Sequence, residues 1–139
     1  MMHKKVMVLD DMYLDRFIAQ QVIAQCGFAE DIILLESVAE ALIYLRSQEN
    51  TPSELPEIIF VDIQMPVMDG FDFLEQFNAL SEKITKNCAI VMLTSSIDPR
   101  DEKRATQQKN VSHFMAKSLD KEKLQELTLL LEKKGLPKK

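Results

Sequence analysis

The chain has 139 residues, enough for one domain with a real core, and at 46% hydrophobic and 28% charged residues its composition is that of an ordinary globular protein. A formal charge of -5 argues against nucleic acid as a direct partner, because phosphate binding wants a basic field. No apolar stretch approaches the ~20 residues of a membrane span, and no signal-peptide core precedes the first strand, so the expected location is the cytoplasm.

Residues 5–9 form the first expected strand, and Val6-Met7-Val8-Leu9 ends in the acids Asp10 and Asp11. Residues 15–26 read as a helix with Phe17, Ile18, Val22 and Ile23 as its inner stripe and Gly27 as its stop. Ile32–Leu35 is the second strand. Residues 38–48 are a helix with Ala41, Leu42 and Leu45 inward, and a polar stretch with two prolines, Ser47 to Pro56, leads to a third strand at 58–61. Asp69-Gly70 opens a helix that runs to about residue 80 with Phe73, Leu74 and Phe77 inward. The fourth strand is 89–93. Asp98-Pro99 starts the next helix, since Asp accepts from first-turn amides and Pro loses no hydrogen bond there. Asn110, which tolerates a left-handed exit, should end it. Residues 113–116 are the fifth strand and 119–133 the last helix, with Leu124, Leu127 and Leu131 inward. Lys133–Lys139 is read as a short basic tail, which leaves a single domain over 1–139 with a core of about 4–132.

Alternating strands and helices with short links imply a parallel sheet covered on both faces. There are too few units for a (β/α)8 barrel. The expected fold is therefore α/β, a doubly wound, flavodoxin-like five-stranded sheet in the order 2-1-3-4-5. Its ligand crevice should lie outside the carboxyl ends of the first and third strands, where the order reverses. Those strands end in Asp10-Asp11 and Asp62, so topology and acids point to one place.

Three converging carboxylates repel one another, and a divalent cation relieves that repulsion. An all-oxygen donor set suits Mg2+ or Mn2+. Cys26 and Cys88 lie far apart without metal spacing and read as reduced thiols, and His3 and His113 form no cluster with them. Phosphoryl transfer needs alignment and charge neutralisation more than covalent help. The Lys117 ammonium and the Thr94 hydroxyl, at the ends of two further strands, can supply both. Asp62 stands alone on its strand before an exposed turn, which makes it the expected nucleophile.

The acidic pair Asp10-Asp11, the run Asp62-x-x-Met65-Pro66-x-Met68-Asp69-Gly70, Thr94 with small Ser95 beside it, Phe114 and Lys117 all stand in order on strand ends. In this the chain resembles the receiver domain of two-component response regulators, from about residue 4 to residue 132. The resemblance implies a phosphoprotein of a bacterial phosphorelay. Asp62 would accept phosphate from a phosphohistidine on a sensor histidine kinase or histidine phosphotransfer protein. Asp11, Asp62 and the Gln64 backbone carbonyl would bind Mg2+, with Asp10 holding waters of its shell. Thr94 and Ser95 would meet the phosphate with Lys117, and Phe114 would repack in response. The face formed by the 98–109 helix, the fifth strand and the last helix would then bind a downstream protein, with the domain a monomer or weak dimer and not a dedicated enzyme.

Three positions depart from the family pattern. Ser118 follows Lys117 where proline is usual, and a cis bond before a non-proline residue costs about 2.5–4 kcal/mol, so a trans peptide is expected. Phe114 replaces a frequent tyrosine and loses its hydroxyl. Asn110 stands where glycine is common.

With few residues after the last helix, a stand-alone receiver is expected. The alternative is a pseudo-receiver that binds partners without phosphorylation. Haloacid-dehalogenase-like enzymes also use an aspartyl nucleophile but place an acid two residues later, where this chain has Gln64. A flavodoxin-like flavin carrier is disfavoured by the acidic, glycine-free turn Asp10–Asp15.

Overall fold

The computed structural model describes residues 3–133. Among them the elements alternate as β1 (His3–Leu9), α1 (Tyr13–Gln25), β2 (Ala29–Leu35), α2 (Val38–Ser47), β3 (Ile58–Asp62), α3 (Gly70–Asn78), α4 (Glu82–Thr85), β4 (Ala89–Thr94), α5 (Pro99–Thr106), β5 (Val111–Ala116) and α6 (Lys121–Lys133). A 3-10 turn at Pro52–Glu54 breaks the polar stretch before β3. The strands are all parallel, in the expected order β2-β1-β3-β4-β5. Apart from its first residue, the basic tail expected over 133–139 lies outside the described residues.

Successive side chains of a strand point to opposite faces, and β3 shows why its whole run is apolar. Ile59 and Val61 join a core with Leu42 and Leu45 of α2 and Phe73, Leu74 and Phe77 of α3. Ile58 and Phe60 join a second core with Ile23 of α1 and Leu124, Leu127 and Leu131 of α6. Burying both faces leaves the strand ends as the place where polar groups meet solvent.

Gly27 ends α1 as expected, with φ +62. Its N–H donates to the Ala24 carbonyl and that of Phe28 to the Ile23 carbonyl, both at 3.1 Å, so two otherwise orphaned carbonyls are satisfied.

Four local expectations are corrected. Phe17 does not face the core: it is 44% exposed, because Ala19 and Ile23 form the buried line of α1 and Phe17 lies across the helix from it. It stacks instead near Tyr13, with ring centroids 6.4 Å apart. The helix after Asp98 stops at Thr106, and its cap residue Gln107 keeps right-handed backbone angles. Asn110 therefore serves no left-handed exit, and its amide donates to Asn78 Oδ1 at 2.5 Å. The short helix α4 lies in a stretch with no expected element, and Ile84 anchors it in the first core. Finally, the Lys117–Ser118 peptide is cis, not trans. The loop is held on both sides of that bond: Lys117 N–H donates to the Thr94 carbonyl, and Lys123 Nζ donates to the carbonyls of Ala116 and Ser118, each at 2.8 Å.

Candidate phosphorylation and metal site

The carboxyl ends of β1, β3, β4 and β5 bring Asp10, Asp11, Asp62, Thr94 and Lys117 to one rim of the sheet. One oxygen from each of Asp10, Asp11 and Asp62 lies within 4.8 Å of the others. Asp10 and Asp62 are buried, each 3% exposed. Lys117 reaches across β1, β3 and α1 at once: Nζ stands 2.7 Å from Asp10 Oδ2, 2.8 Å from Asp15 Oδ2 and 3.3 Å from Asp62 Oδ2.

One ammonium does not neutralise this many acids. Burial and the neighbouring Asp10 charge push the Asp62 carboxyl up to about 6, against the pull of Lys117 and of the Gln64 N–H. Burial alone would lower the Lys117 pKa, but its hydrogen bonds to Asp10 and Asp15 and the Asp10 and Asp62 charges hold it above its ordinary value. Arg16 adds no compensation at the carboxylates. Its guanidinium donates to the Asp10 carbonyl at 2.9 Å and pairs with Glu36 at 3.3 Å.

The donor set fits a small hard cation. It is all oxygen, it carries excess negative charge, and Asp11 Oδ1 is buried without a hydrogen-bond partner.

The other expected site residues sit nearby in different roles. Gln64 N–H donates to Asp62 Oδ1 at 3.1 Å, and its side-chain oxygen accepts from Ser95 Oγ at 2.7 Å. That bond ties the β3 and β4 loops together. The Thr94 hydroxyl is fully buried and donates to the Ser96 carbonyl at 3.0 Å, within its own turn. Phe114 pairs with Met92 across the β4–β5 register and packs against the first core, below the rim.

Sequence reasoning missed Asp15. It stands in the first turn of α1, where an acid is ordinary helix chemistry, and only its contact with Lys117 reveals more.

The loop from Asp62 to Gly70 is pinned at both ends. Ile63 N–H donates to the Leu93 carbonyl and Gly70 N–H to the Ile63 carbonyl, both at 2.9 Å. Asp69 caps α3, as expected, in a reciprocal pair with Asp72 in which each N–H meets the other's carboxylate at 2.9 Å. Between these anchors the Met68 N–H donates to the Pro66 carbonyl at 2.8 Å, which forces Val67 to φ 69. A β-branched residue is strained there, and Val67 is fully exposed, so no packing compensates. Val67→Gly is expected to stabilise the protein by about 1 kcal/mol, read as a higher urea midpoint at unchanged slope, because glycine takes a positive φ without steric cost. An unchanged midpoint would show that the turn relaxes without cost.

A family profile for the response regulator receiver domain matches residues 6–129. A two-component response regulator from Cytophaga hutchinsonii has a similar structure, with a TM-score of 0.87 at 25% identity over 95% of this chain and 99% of that one. Histidine kinase CKI1 of Arabidopsis thaliana is 27% identical over 84% of this chain, which spans only 11% of its length. The probable methanogenesis regulatory protein FilR2 of Methanothrix harundinacea is also 27% identical, over 86% of this chain and 75% of that protein. Among the described residues no helix is long and apolar enough to cross a membrane.

Proposed function

Because the chain belongs to the response regulator receiver domain family, we propose that Asp62 takes a phosphoryl group from a phosphohistidine and so controls the binding of a downstream protein. The observation that carries this reading is the cluster of Asp10, Asp11 and Asp62 at the sheet rim with Lys117 3.3 Å from Asp62. The donor of the phosphoryl group is a sensor histidine kinase or a histidine phosphotransfer protein.

Asp11 and Asp62, with the Gln64 carbonyl, would hold Mg2+ or Mn2+, and Asp10 would hold its waters. The cation would supply neutralisation of the carboxylates and of the phosphoryl oxygens. One oxygen of the ionised Asp62 carboxylate attacks phosphorus in line as the P–N bond to the donor histidine breaks, and the imidazole leaves with the bonding pair and takes up a proton from solvent. Lys117 gives an N–H to the incoming phosphoryl group as its charge spreads over the equatorial oxygens. Water has little access to Asp62 itself, which is 3% exposed.

Phosphorylation adds about -1.5 to -2 charge and three acceptor oxygens. The Thr94 hydroxyl leaves the Ser96 carbonyl to donate to one of them, and Ser95 lies beside it. Phe114 then repacks by shape alone, having no hydroxyl. β5 is the edge strand and all six of its residues are half-buried, so the face of α5, β5 and α6 has room to change. A coupling of roughly 1–3 kcal/mol is enough for a 5- to 150-fold change in partner affinity. In this reading the domain is a switch and not a dedicated enzyme.

The test is intact mass after incubation with acetyl phosphate, with and without Mg2+. The wild-type chain is expected to gain one phosphoryl group only with Mg2+, and Asp62→Asn none. No gain in the wild type, with beryllofluoride also failing to bind, would leave a constitutive binding module. Labelling that persists in Asp62→Asn would move the nucleophile to Asp10 or Asp11.

A further inference from the structure

An ammonium has three N–H donors, and those of Lys117 face three carboxylates. Two of these, Asp10 and Asp62, belong to the three-carboxylate cluster, where a bound cation competes for them. The third, Asp15, comes from α1 and is not one of the clustered acids. With a cation in place, Asp15 is the acceptor that still holds Lys117, and the one a phosphoryl oxygen must displace.

We propose that Asp15 is a positioning residue: it is the resting counter-ion of Lys117 and gives up the ammonium when Asp62 is phosphorylated. This rests on the receiver reading above. Three features suit Asp15 to the exchange. Its side chain is 36% exposed, against 5% for Asp10 and 3% for Asp62, so water can solvate it once the ammonium leaves. Its backbone need not move, because the adjacent Arg16 anchors the same turn to the Asp10 carbonyl and to Glu36. Its charge also acts against an anionic phosphoryl donor, so the contact restrains the site before phosphorylation as well as aligning Lys117. The exchange moves the ammonium off the first turn of α1, where Tyr13 and Leu14 stand exposed, with Phe17 just beyond them.

The inference makes two affinities move in opposite directions, which a merely structural loss does not do. In Asp15→Asn the ammonium settles fully on Asp10 and Asp62 and competes harder with the cation. Titration of the metal-free protein with Mg2+ is then expected to give about twofold weaker binding. At saturating Mg2+, beryllofluoride is expected to bind roughly fivefold tighter, the size of one partly solvated ion pair, because no third carboxylate retains Lys117. Asp15→Glu keeps the charge on a longer arm and is expected to return both constants toward wild type.

Weakening of both affinities in Asp15→Asn, or no change in either, overturns the proposal. So does an Asp15→Glu variant that behaves as Asp15→Asn. A wild-type chain that takes no beryllofluoride overturns the receiver reading itself, and this inference with it.

Discussion

Asp62→Asn is expected to make the metal-free protein more stable at pH 7.5, by about 2–3 kcal/mol or roughly 5–10 °C in melting temperature. Asp62 is buried beside Asp10, and its carboxyl is pushed up to about 6 from an ordinary value near 3.8. A carboxyl raised in this way contributes its full stability only below the unfolded value, where both states are protonated. That contribution is lost as the pH rises through the folded value. The penalty is therefore complete above about pH 6 and absent near pH 3.8 and below. Asparagine keeps the shape and the acceptor for the Gln64 N–H but carries no charge. The advantage of the variant should be flat above pH 7 and shrink steadily between pH 6 and pH 4. Melting curves across that range, recorded in chelator, read it directly. Adding Mg2+ should reverse the order, because a cation binds the three carboxylates of the wild type more tightly than the two that the variant keeps. A metal-free variant less stable than wild type at pH 7.5 would mean that the Lys117 contact outweighs the burial and repulsion, and that the cluster is not electrostatically strained.

Gly70→Ala is expected to destabilise the protein by about 2–3 kcal/mol, although Ala is the better helix former by ~1 kcal/mol. Gly70 opens α3, and a Cβ there would stand 2.8 Å from the Asp62 carbonyl oxygen and 2.8 Å from Ile63 Cα. Both are backbone atoms at the end of β3, one in Asp62 and one in the residue just past the strand, and neither has a rotamer to change. The Met92 methyl, at 3.2 Å, closes the remaining side. Either α3 backs away and loses the Gly70–Ile63 hydrogen bond, or the end of β3 shifts and takes Asp62 with it. Denaturant unfolding should show the lower midpoint, and labelling by acetyl phosphate should slow in the protein that remains folded. A wild-type midpoint with wild-type labelling would show that helix and strand separate freely at this point.

Much of this molecule is legible in its residues. The alternation of apolar runs with amphipathic segments is enough for a doubly wound sheet, because strands buried on both faces carry no polar position until they end. Each site acid or cation then stands just past such a run, which is why Asp10, Asp11, Asp62 and Lys117 are readable one strand at a time. Asp69 is readable as a helix cap because the cap is a local bond, made three residues away.

The failures share the opposite property. Phe17 has the hydropathy of a core residue, yet its direction depends on which line of α1 meets the sheet. Asp15 looks like any first-turn acid, and its partner is 102 residues away. The role of Gly70 is not a turn angle but the nearness of β3. The cis peptide after Lys117 sits in a loop held by Thr94 and Lys123, from two other elements.

The sequence by itself therefore determined the fold and the acids and lysine at the sheet rim, which follow from periodicity and from what ends each strand, while the family was legible in the resemblance that those residues carry together. Only the tertiary structure decided how the charges are shared: which carboxylates compete for Lys117, which one water can relieve, and how far burial raises Asp62. Those are questions of a few ångströms between distant elements, and a charge's energy depends on that distance and on the solvent around it rather than on its place in the chain.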